Sequence, residues 1–225
     1  MKSFMIKMTA LLACVATVIT ATLYLAEAND GKAVAIVVKS TGKAQAKQGN
    51  KWVDVTKGSR LFSGDKVVTK DDGFAAVMFL DDKSIIKLKP NSNLEVKGQY
   101  EGKSISKNIV MDVGELFVKV SKQKGSFQVA TPTSVASVKG TEFWVIENTN
   151  GTKVIGIEGL IEVLNKASNK KQDVSAGNTA NSDKSGNLNV DTTKENEIPE
   201  DKDLEEIIIK FRDNDGKEKE VKIKY

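Results

Sequence analysis

Hydrophobic and polar residues alternate with a period of two along most of the chain after residue 33. Short apolar runs are separated by turn-forming clusters such as Ser63-Gly64-Asp65 and Asp71-Asp72-Gly73. Alternation of this kind, broken by glycine and aspartate, is typical of β-strands. Because no long segment with the 3.6-residue period of a helix follows residue 30, the pattern predicts an all-β domain. A sandwich, a barrel and a β-helix all fit this spacing of short strands.

The alternation divides the chain into a body and a C-terminal extension. We predict a β domain over residues 33–191, in which Gly114 is one of the glycines expected to form turns between strands. Residues 192–203 are polar and are predicted to be a linker, and residues 204–225 are predicted to form a β-hairpin. Since two strands alone are marginally stable, the hairpin is expected to dock on the main domain or on a partner.

The N-terminus has the pattern of an export signal. Lys2 and Lys7 precede an apolar run from Met8 to Ala26, which ends in Ala26-Glu27-Ala28. These features predict a signal peptide over residues 1–28 with cleavage after Ala28. The apolar run is also about long enough to span a bilayer, so an uncleaved membrane anchor is the alternative. In both cases the body of the protein is expected outside the cytoplasm.

Composition and charge exclude several classes of function. The chain has 225 residues, 40% of them hydrophobic and 28% charged, as in ordinary globular proteins of one or two domains. Its net charge of +4 is spread along the chain, whereas nucleic-acid binding requires a basic stripe. Histidine is absent and Cys14 is the single cysteine, which excludes Ser-His-Asp and Cys-His catalysis and histidine metal sites. We predict no cofactor, no metal site and no nucleic-acid partner.

Several segments, taken in order, are similar to the FecR domain of bacterial envelope proteins, over roughly residues 34–190. The matching segments are Trp52, GSRLFSGDKVVT (58–69), GFAAVMFLDDKSIIKLKPNSNLEV (73–96), GELFVKV (114–120), VKGTEFWV (138–145), GIEGLIEV (156–163) and VSAGN (174–178).

This resemblance implies a non-catalytic, extracytoplasmic β domain of the sandwich or β-helix type. Signalling members of the family have a cytoplasmic region that regulates a sigma factor, then a membrane helix, then a periplasmic domain. Nothing sizeable precedes the apolar run here, so we expect the stand-alone exported form, periplasmic or at the cell surface. The alternative is an inner-membrane anchored form that faces the periplasm. We expect a binding module, not an enzyme, with an envelope protein as partner and cell-wall or polysaccharide binding as the alternative.

A first candidate site is the kink in SVASVKGTEFWV (134–145). The apolar residues change parity across Gly140, which predicts a β-bulge at this structural glycine. Lys139 and Glu142 are expected to pair at the kink, and a ligand-binding corner is the alternative. Both are therefore candidate partner-binding residues.

Other candidate residues have simpler explanations. Asp71-Asp72 and Asp81-Asp82 could supply the two carboxylates of a glycosidase, but aspartate beside Gly73 or Lys83 is chiefly a turn former. Most of the aromatic residues are expected in the core. Trp52 is the exception, because it follows a turn, and it is the third candidate partner-binding residue.

Overall fold

The computed structural model describes residues 31–121, 125–200, 207–212 and 216–223. The chain divides into two compact units, Met1–Lys32 and Ala33–Tyr225, and every strand among the described residues belongs to the second. The predicted signal peptide over residues 1–28 lies outside the described residues. A search of the described residues finds no helix long and apolar enough to cross a membrane.

Strands make up nearly all the regular structure of the described residues, and the one helical segment among them is a 3-10 turn at Glu195–Glu197. The predicted all-β class is confirmed. The strands are β1 (Ala35–Thr41), β2 (Ala44–Gln48), β3 (Lys51–Asp54), β4 (Arg60–Leu61), β5 (Asp65–Thr69), β6 (Phe74–Phe79), β7 (Ile85–Leu88), β8 (Asn93–Glu101), β9 (Ser104–Lys119), β10 (Phe127–Ala130), β11 (Ser134–Val138), β12 (Glu142–Asn148), β13 (Gly151–Glu158), β14 (Leu160–Asn165), β15 (Lys171–Ser175), β16 (Asn178–Ser182), β17 (Leu188–Thr192), β18 (Ile207–Arg212) and β19 (Glu218–Ile223).

Strands β1 to β17 form one continuous, mixed sheet that is not closed into a barrel. Strand β9 pairs with strands in both halves of this sheet. We call the two halves the first sheet and the second sheet. The first sheet has the order β4-β1-β6-β7-β9-β12-β13-β16-β17. The second has the order β3-β2-β5-β8-β9-β10-β11-β14-β15. Within these two orders the pairs are antiparallel except β9–β10, which is parallel.

A single hydrophobic core lies between the two sheets. Val77 and Val118 of the first sheet and Val67 and Ile109 of the second belong to one cluster of buried side chains. All four are fully buried. The structure is therefore a sandwich, which was one of the predicted forms.

Gly114 lies inside a continuous strand, so the expectation that it forms a turn is wrong. Residues 104–113 of β9 pair with β8 in the second sheet, and residues 114–119 pair with β12 in the first. Gly114 has φ +116°, and a Cβ there would lie 2.3 Å from Ser92 Oγ and 2.4 Å from Ser92 Cα. Ser92 Oγ accepts a hydrogen bond from the Glu115 N–H (3.0 Å) and donates one to the Glu115 carbonyl (3.2 Å). The strand can change sheets here because glycine lets the Ser92 backbone approach it closely.

The local turn and hairpin predictions hold. Gly49 and Asn50 connect β2 to β3, with Gly49 at φ +59°, and Trp52 follows this turn. The C-terminal hairpin is present, with Ile207 opposite Ile223 and Ile209 opposite Val221. Part of its expected turn (213–215) and Tyr225 lie outside the described residues. The predicted domain boundaries stay predictions.

Replacing Gly114 by alanine should strongly destabilise the fold. Alanine at this position would have to adopt a positive φ, which is unfavourable for any residue with a Cβ. Its Cβ would also overlap the Ser92 backbone. Together these two effects should lower the free energy of unfolding by about 3 kcal/mol. Gly102→Ala is the matched control, because Gly102 also has positive φ (+64°) but nothing lies within 4 Å of a Cβ there. We expect the control substitution to lower the free energy of unfolding by about 1 kcal/mol. Urea unfolding measures both, and equal losses in the two variants would contradict the close approach at Gly114.

Candidate functional site

The structure places the predicted partner-binding residues on two separate surfaces. Trp52 lies on β3, at the edge of the second sheet, whereas Lys139 directly follows β11 of the same sheet. Six strand spacings separate β3 from β11, which is about 29 Å. We call Lys51–Asp54 the Trp52 edge and Lys139–Glu142 the crossover corner.

At the crossover corner the chain passes from the second sheet to the first. Strand β11 ends at Val138, Gly140 follows with φ +70°, and β12 begins at Glu142. The apolar residues on both sides of the crossing face the same core, which explains the change of parity in the sequence. These residues are Ala136, Val138, Phe143 and Val145.

The predicted bulge at Gly140 is wrong in its position. The register shift lies in the pairing of β12 with β13, where Phe143 is opposite Gly156 and Glu142 is opposite Glu158. Ile157 is therefore the extra residue, on the neighbouring strand. Gly140 remains a position that favours glycine, because its φ is positive.

The expected ion pair between Lys139 and Glu142 is also wrong. Glu142 Oε1 lies 2.7 Å from Lys119 Nζ, and the two residues are directly opposite each other on β12 and β9. Both side chains are partly exposed, so the pair contributes at most about 1 kcal/mol. Lys139 itself is exposed. The sequence could not identify Lys119 as the partner, because the pairing depends on the register of two distant strands.

Two apolar side chains that the sequence reading missed are exposed near the crossover corner. Ile157 is 36% exposed and Leu160 is 55% exposed, on either side of Gly159. A Cβ on Gly159 would lie 2.6 Å from Thr141 Cγ2, which shows how closely this loop packs on the corner. The corner therefore combines an ion pair, an exposed lysine and exposed apolar area.

The Trp52 edge is the most open strand of the second sheet. All four residues of β3 are exposed, with Trp52 at 50% and Val53 at 40% exposure. The expectation that Trp52 is at least partly exposed is confirmed. In the described residues β3 pairs only with β2, so its other side is a free sheet edge.

The backbone of Trp52 points toward that free edge. Val55 N–H donates to the Ala44 carbonyl at 2.9 Å, and Ala46 is directly opposite Val53. Hydrogen-bonded and non-bonded pairs alternate along an antiparallel ladder, so the N–H and C=O of Trp52 face away from β2. The edge thus offers a free donor and a free acceptor beside a large aromatic ring.

Two lysines follow Trp52 across the outer face of the second sheet. Lys47 is directly opposite Trp52, and Lys66 is directly opposite Lys47 on the next strand. Directly opposed residues share a face of the sheet. At the C-terminal end of β3, the Asp54 carboxylate accepts a hydrogen bond from Gln45 Nε2 at 2.9 Å. The row that begins at Trp52 therefore carries Lys47 and Lys66, with Glu95 opposite Lys66 on the next strand.

The remaining aromatic side chains do not form an exposed row. Among the described aromatic residues only Trp52 and Phe211 are strongly exposed. Most aromatics are therefore buried, as expected, although only Phe79, Phe127 and Phe143 lie in the core between the two sheets. The buried ones are Phe74, Phe79, Phe117, Phe127, Phe143 and Trp144.

The acidic pair Asp81-Asp82 is held in a buried ion cluster. Lys107 Nζ lies 2.8 Å from Asp81 Oδ2 and 2.9 Å from Asp82 Oδ2, and the Lys107 side chain is fully buried. Lys107 belongs to the second-sheet half of β9, and the two aspartates belong to the β6–β7 turn of the first sheet. Burial, and then the negative charge of Asp81, raise the pKa of the Tyr100 hydroxyl. The aspartates form a turn as predicted, and they also connect the two sheets.

The other acidic pair is an ordinary turn. Asp71 and Asp72 are exposed, and Asp72 Oδ1 accepts a hydrogen bond from the Lys43 N–H at 3.0 Å. The interpretation as turn formers is confirmed for this pair as well.

Comparison with known families supports the resemblance found in the sequence. Residues 65–162 match the family described as FecR protein, so the resemblance is confirmed for this part of the chain. The match begins at the first residue of β5 and ends within β14. Lys139 and Glu142 lie inside the match, and Trp52 lies outside it. A search of curated proteins finds no match.

Solved structures include two similar chains, both crystal structures of a candidate anti-sigma factor from Parabacteroides distasonis ATCC 8503, at 1.65 Å and 2.50 Å resolution. Each is 18% identical with a TM-score of 0.48, and each alignment covers 56% of this chain. The present chain spans 59% of the length of those structures.

Lys107→Met should destabilise the fold far more than removal of an exposed lysine. The substitution leaves the Asp81 and Asp82 carboxylates next to the core without their cation, which costs about 3–5 kcal/mol. Lys97→Met is the control, because the Lys97 side chain is 48% exposed in its pair with Glu95 and should contribute less than about 1 kcal/mol. Urea unfolding compares the two variants. A Lys107→Met protein as stable as the Lys97→Met protein would show that the cluster is not structural.

Proposed function

We propose that this protein is an exported FecR-like binding module, which acts without catalysis through protein–protein contacts in the bacterial envelope, in signalling. The single observation that carries the proposal is the Trp52 edge, a free sheet edge with an exposed aromatic ring and unpaired backbone groups. The FecR match over residues 65–162 supports the class of module.

The proposed mode of binding is addition of a partner strand to β3. Exposed edge strands are usually shortened or blocked by charge, because they pair readily with other chains. Strand β3 is short and has Lys51 and Asp54 at its ends, but its two central residues, Trp52 and Val53, are apolar and exposed. A partner strand would take main-chain hydrogen bonds from Trp52 and pack side chains against its ring. Lys47 and Lys66 would favour a partner with acidic residues at the facing positions.

The buried and paired acids support a role without chemistry. A glycosidase needs two carboxylates that face a substrate cleft. Asp81 and Asp82 are instead held by Lys107 between the sheets, and Asp72 accepts a hydrogen bond from the Lys43 N–H in a turn. The crossover corner, with Lys139, Glu142 and Leu160, would be a second contact surface for the same partner or another.

Replacement of Trp52 should separate the side-chain and backbone contributions to binding. Trp52→Ala removes the ring, and Trp52→Pro removes the ring together with the outward N–H. We expect recovery of the envelope partner in affinity capture to fall at least about tenfold with alanine, as for an aromatic hot spot, and further with proline. Quantitative mass spectrometry of proteins captured from intact envelopes measures this.

Leu80→Ser is the control for that experiment, because Leu80 is 46% exposed and lies on the first sheet's β6–β7 turn. Its capture profile should equal that of the wild type. Unchanged recovery with Trp52→Pro would contradict strand addition at β3. Retention on peptidoglycan that is lost with Trp52→Ala would instead favour the polysaccharide alternative.

Export should produce a mature chain that begins at Asn29. The basic start, apolar run and Ala26-Glu27-Ala28 ending support cleavage after Ala28. N-terminal sequencing and intact mass of the protein from the periplasmic fraction measure this. Ala28→Arg should block cleavage and leave the chain in the membrane fraction. A wild-type chain that retains residues 1–28 in the membrane would instead establish the anchored form.

A further inference from the structure

The first sheet carries buried apolar side chains on its outer face, away from the core. We call these residues the outer patch: Phe74, Met78, Ile85, Phe117, Trp144 and Ile155. None of them is more than 7% exposed. The outer faces of a two-sheet sandwich normally alternate to polar residues that contact water. The burial of the outer patch therefore indicates a further layer that covers it.

The chain after β17 runs across this same outer face. Thr193 Oγ1 lies 2.8 Å from Thr179 Oγ1, at β16. Four residues later, Glu197 Oε1 lies 3.5 Å from Lys153 Nζ on β13. Lys153 occupies the same face as Ile155, two residues along the strand. The segment thus moves from the edge of the first sheet toward its centre.

The segment reaches the outer patch at residue 200. Lys89 Nζ donates a hydrogen bond to the Glu200 carbonyl at 3.2 Å. The same ammonium group lies 5.9 Å from the Phe74 ring centre and 6.0 Å from the Trp144 ring centre. The chain therefore arrives where the two halves of the outer patch meet, with 25 residues still to follow.

Those last residues include a hairpin of suitable size and pattern. In its register, the Ile207–Ile223 and Ile209–Val221 pairs alternate with the Ile208–Lys222 and Lys210–Glu220 pairs. By register, positions 207, 209, 221 and 223 share one face of the hairpin, and the sequence has apolar residues at all four. Its six-residue strands are about 20 Å long, and the five adjacent strands β6, β7, β9, β12 and β13 span about 19 Å.

The charge of the first sheet's outer face is opposite to that of the sequence that leads into the hairpin. The outer face of the first sheet carries Lys39, Lys87 and Lys89, of which Lys87 is fully buried with its Nζ 5.2 Å from the Phe117 ring centre. The sequence that leads into the hairpin, Glu200 to Glu206, has five acids and one lysine. The acidic sequence and this lysine-bearing face therefore have complementary charge.

We propose that the C-terminal hairpin of this chain, residues 204–225, docks through its Ile207, Ile209, Val221 and Ile223 face on the outer patch, as a third β layer. The docking stabilises a hairpin that would be marginal alone. Phe211, next to the hairpin turn, is 43% exposed, so the proposed contact does not include it. This proposal is independent of the Trp52 edge, which is on the other sheet.

Photo-crosslinking identifies what covers the outer patch. The photoreactive residue p-benzoylphenylalanine is introduced in place of Phe117 in the full chain, with the same residue in place of Trp52 as control. We expect the Phe117 position to crosslink within one molecule to residues 201–225, and the Trp52 position not to do so. Crosslinks to residues 1–30, to a second copy or to another protein would overturn the proposal.

Fluorescence provides a second test that does not alter the patch. In a Trp52→Phe background Trp144 is the single tryptophan. Ile207→Ser combined with Ile209→Ser should shift Trp144 emission to the red and raise its acrylamide quenching several-fold. Ile208→Ser is the control at the alternate register position and should leave both unchanged. Equal quenching in all three proteins would overturn the proposal.

Discussion

The passage of β9 from one sheet to the other at Gly114 is the constraint on which the rest of the sandwich depends. A single strand supplies core residues to both layers, so neither sheet is complete without it. The kink requires positive φ and contact with Ser92, whose hydroxyl bonds both the N–H and the carbonyl of Glu115. Lys107, from the second-sheet half of the same strand, then binds the first sheet's β6–β7 turn through Asp81 and Asp82.

This architecture determines which strands and corners are exposed. The sheets are open, so edge strands such as β3 remain available, and the crossing from β11 to β12 produces a polar corner. Lys139 and Glu142 lie at one of these corners because β11 and β12 belong to different sheets. The first sheet's outer face is different, since its apolar residues are already buried. Among the described residues, the Trp52 edge and the crossover corner are two surfaces that combine exposed apolar side chains with charged ones.

Local pattern predicted the strands well, because the two-residue period and the turn residues act over short distances. It failed where a contact joins distant segments. The sequence around Gly114 indicates a turn, because the contact of Gly114 with Ser92 is visible only in the folded structure. The ion pair of Glu142 with Lys119 likewise depends on the register of two distant strands. One signal was available: Lys107 occupies an inward position between Ile105 and Ile109, which marks a buried lysine in need of acidic partners. The apolar residues do change parity across Gly140, but the cause is the passage of the chain from one sheet to the other.

Both sheets share one core, so we expect them to unfold together. Native-state hydrogen exchange tests it most directly, by comparing the slowest amides of β6 and β7 in the first sheet with those of β5 and β8 in the second. We expect both groups to exchange with the same free energy, equal to that of global unfolding. A second sheet that opens at distinctly lower free energy than the first would contradict the shared core.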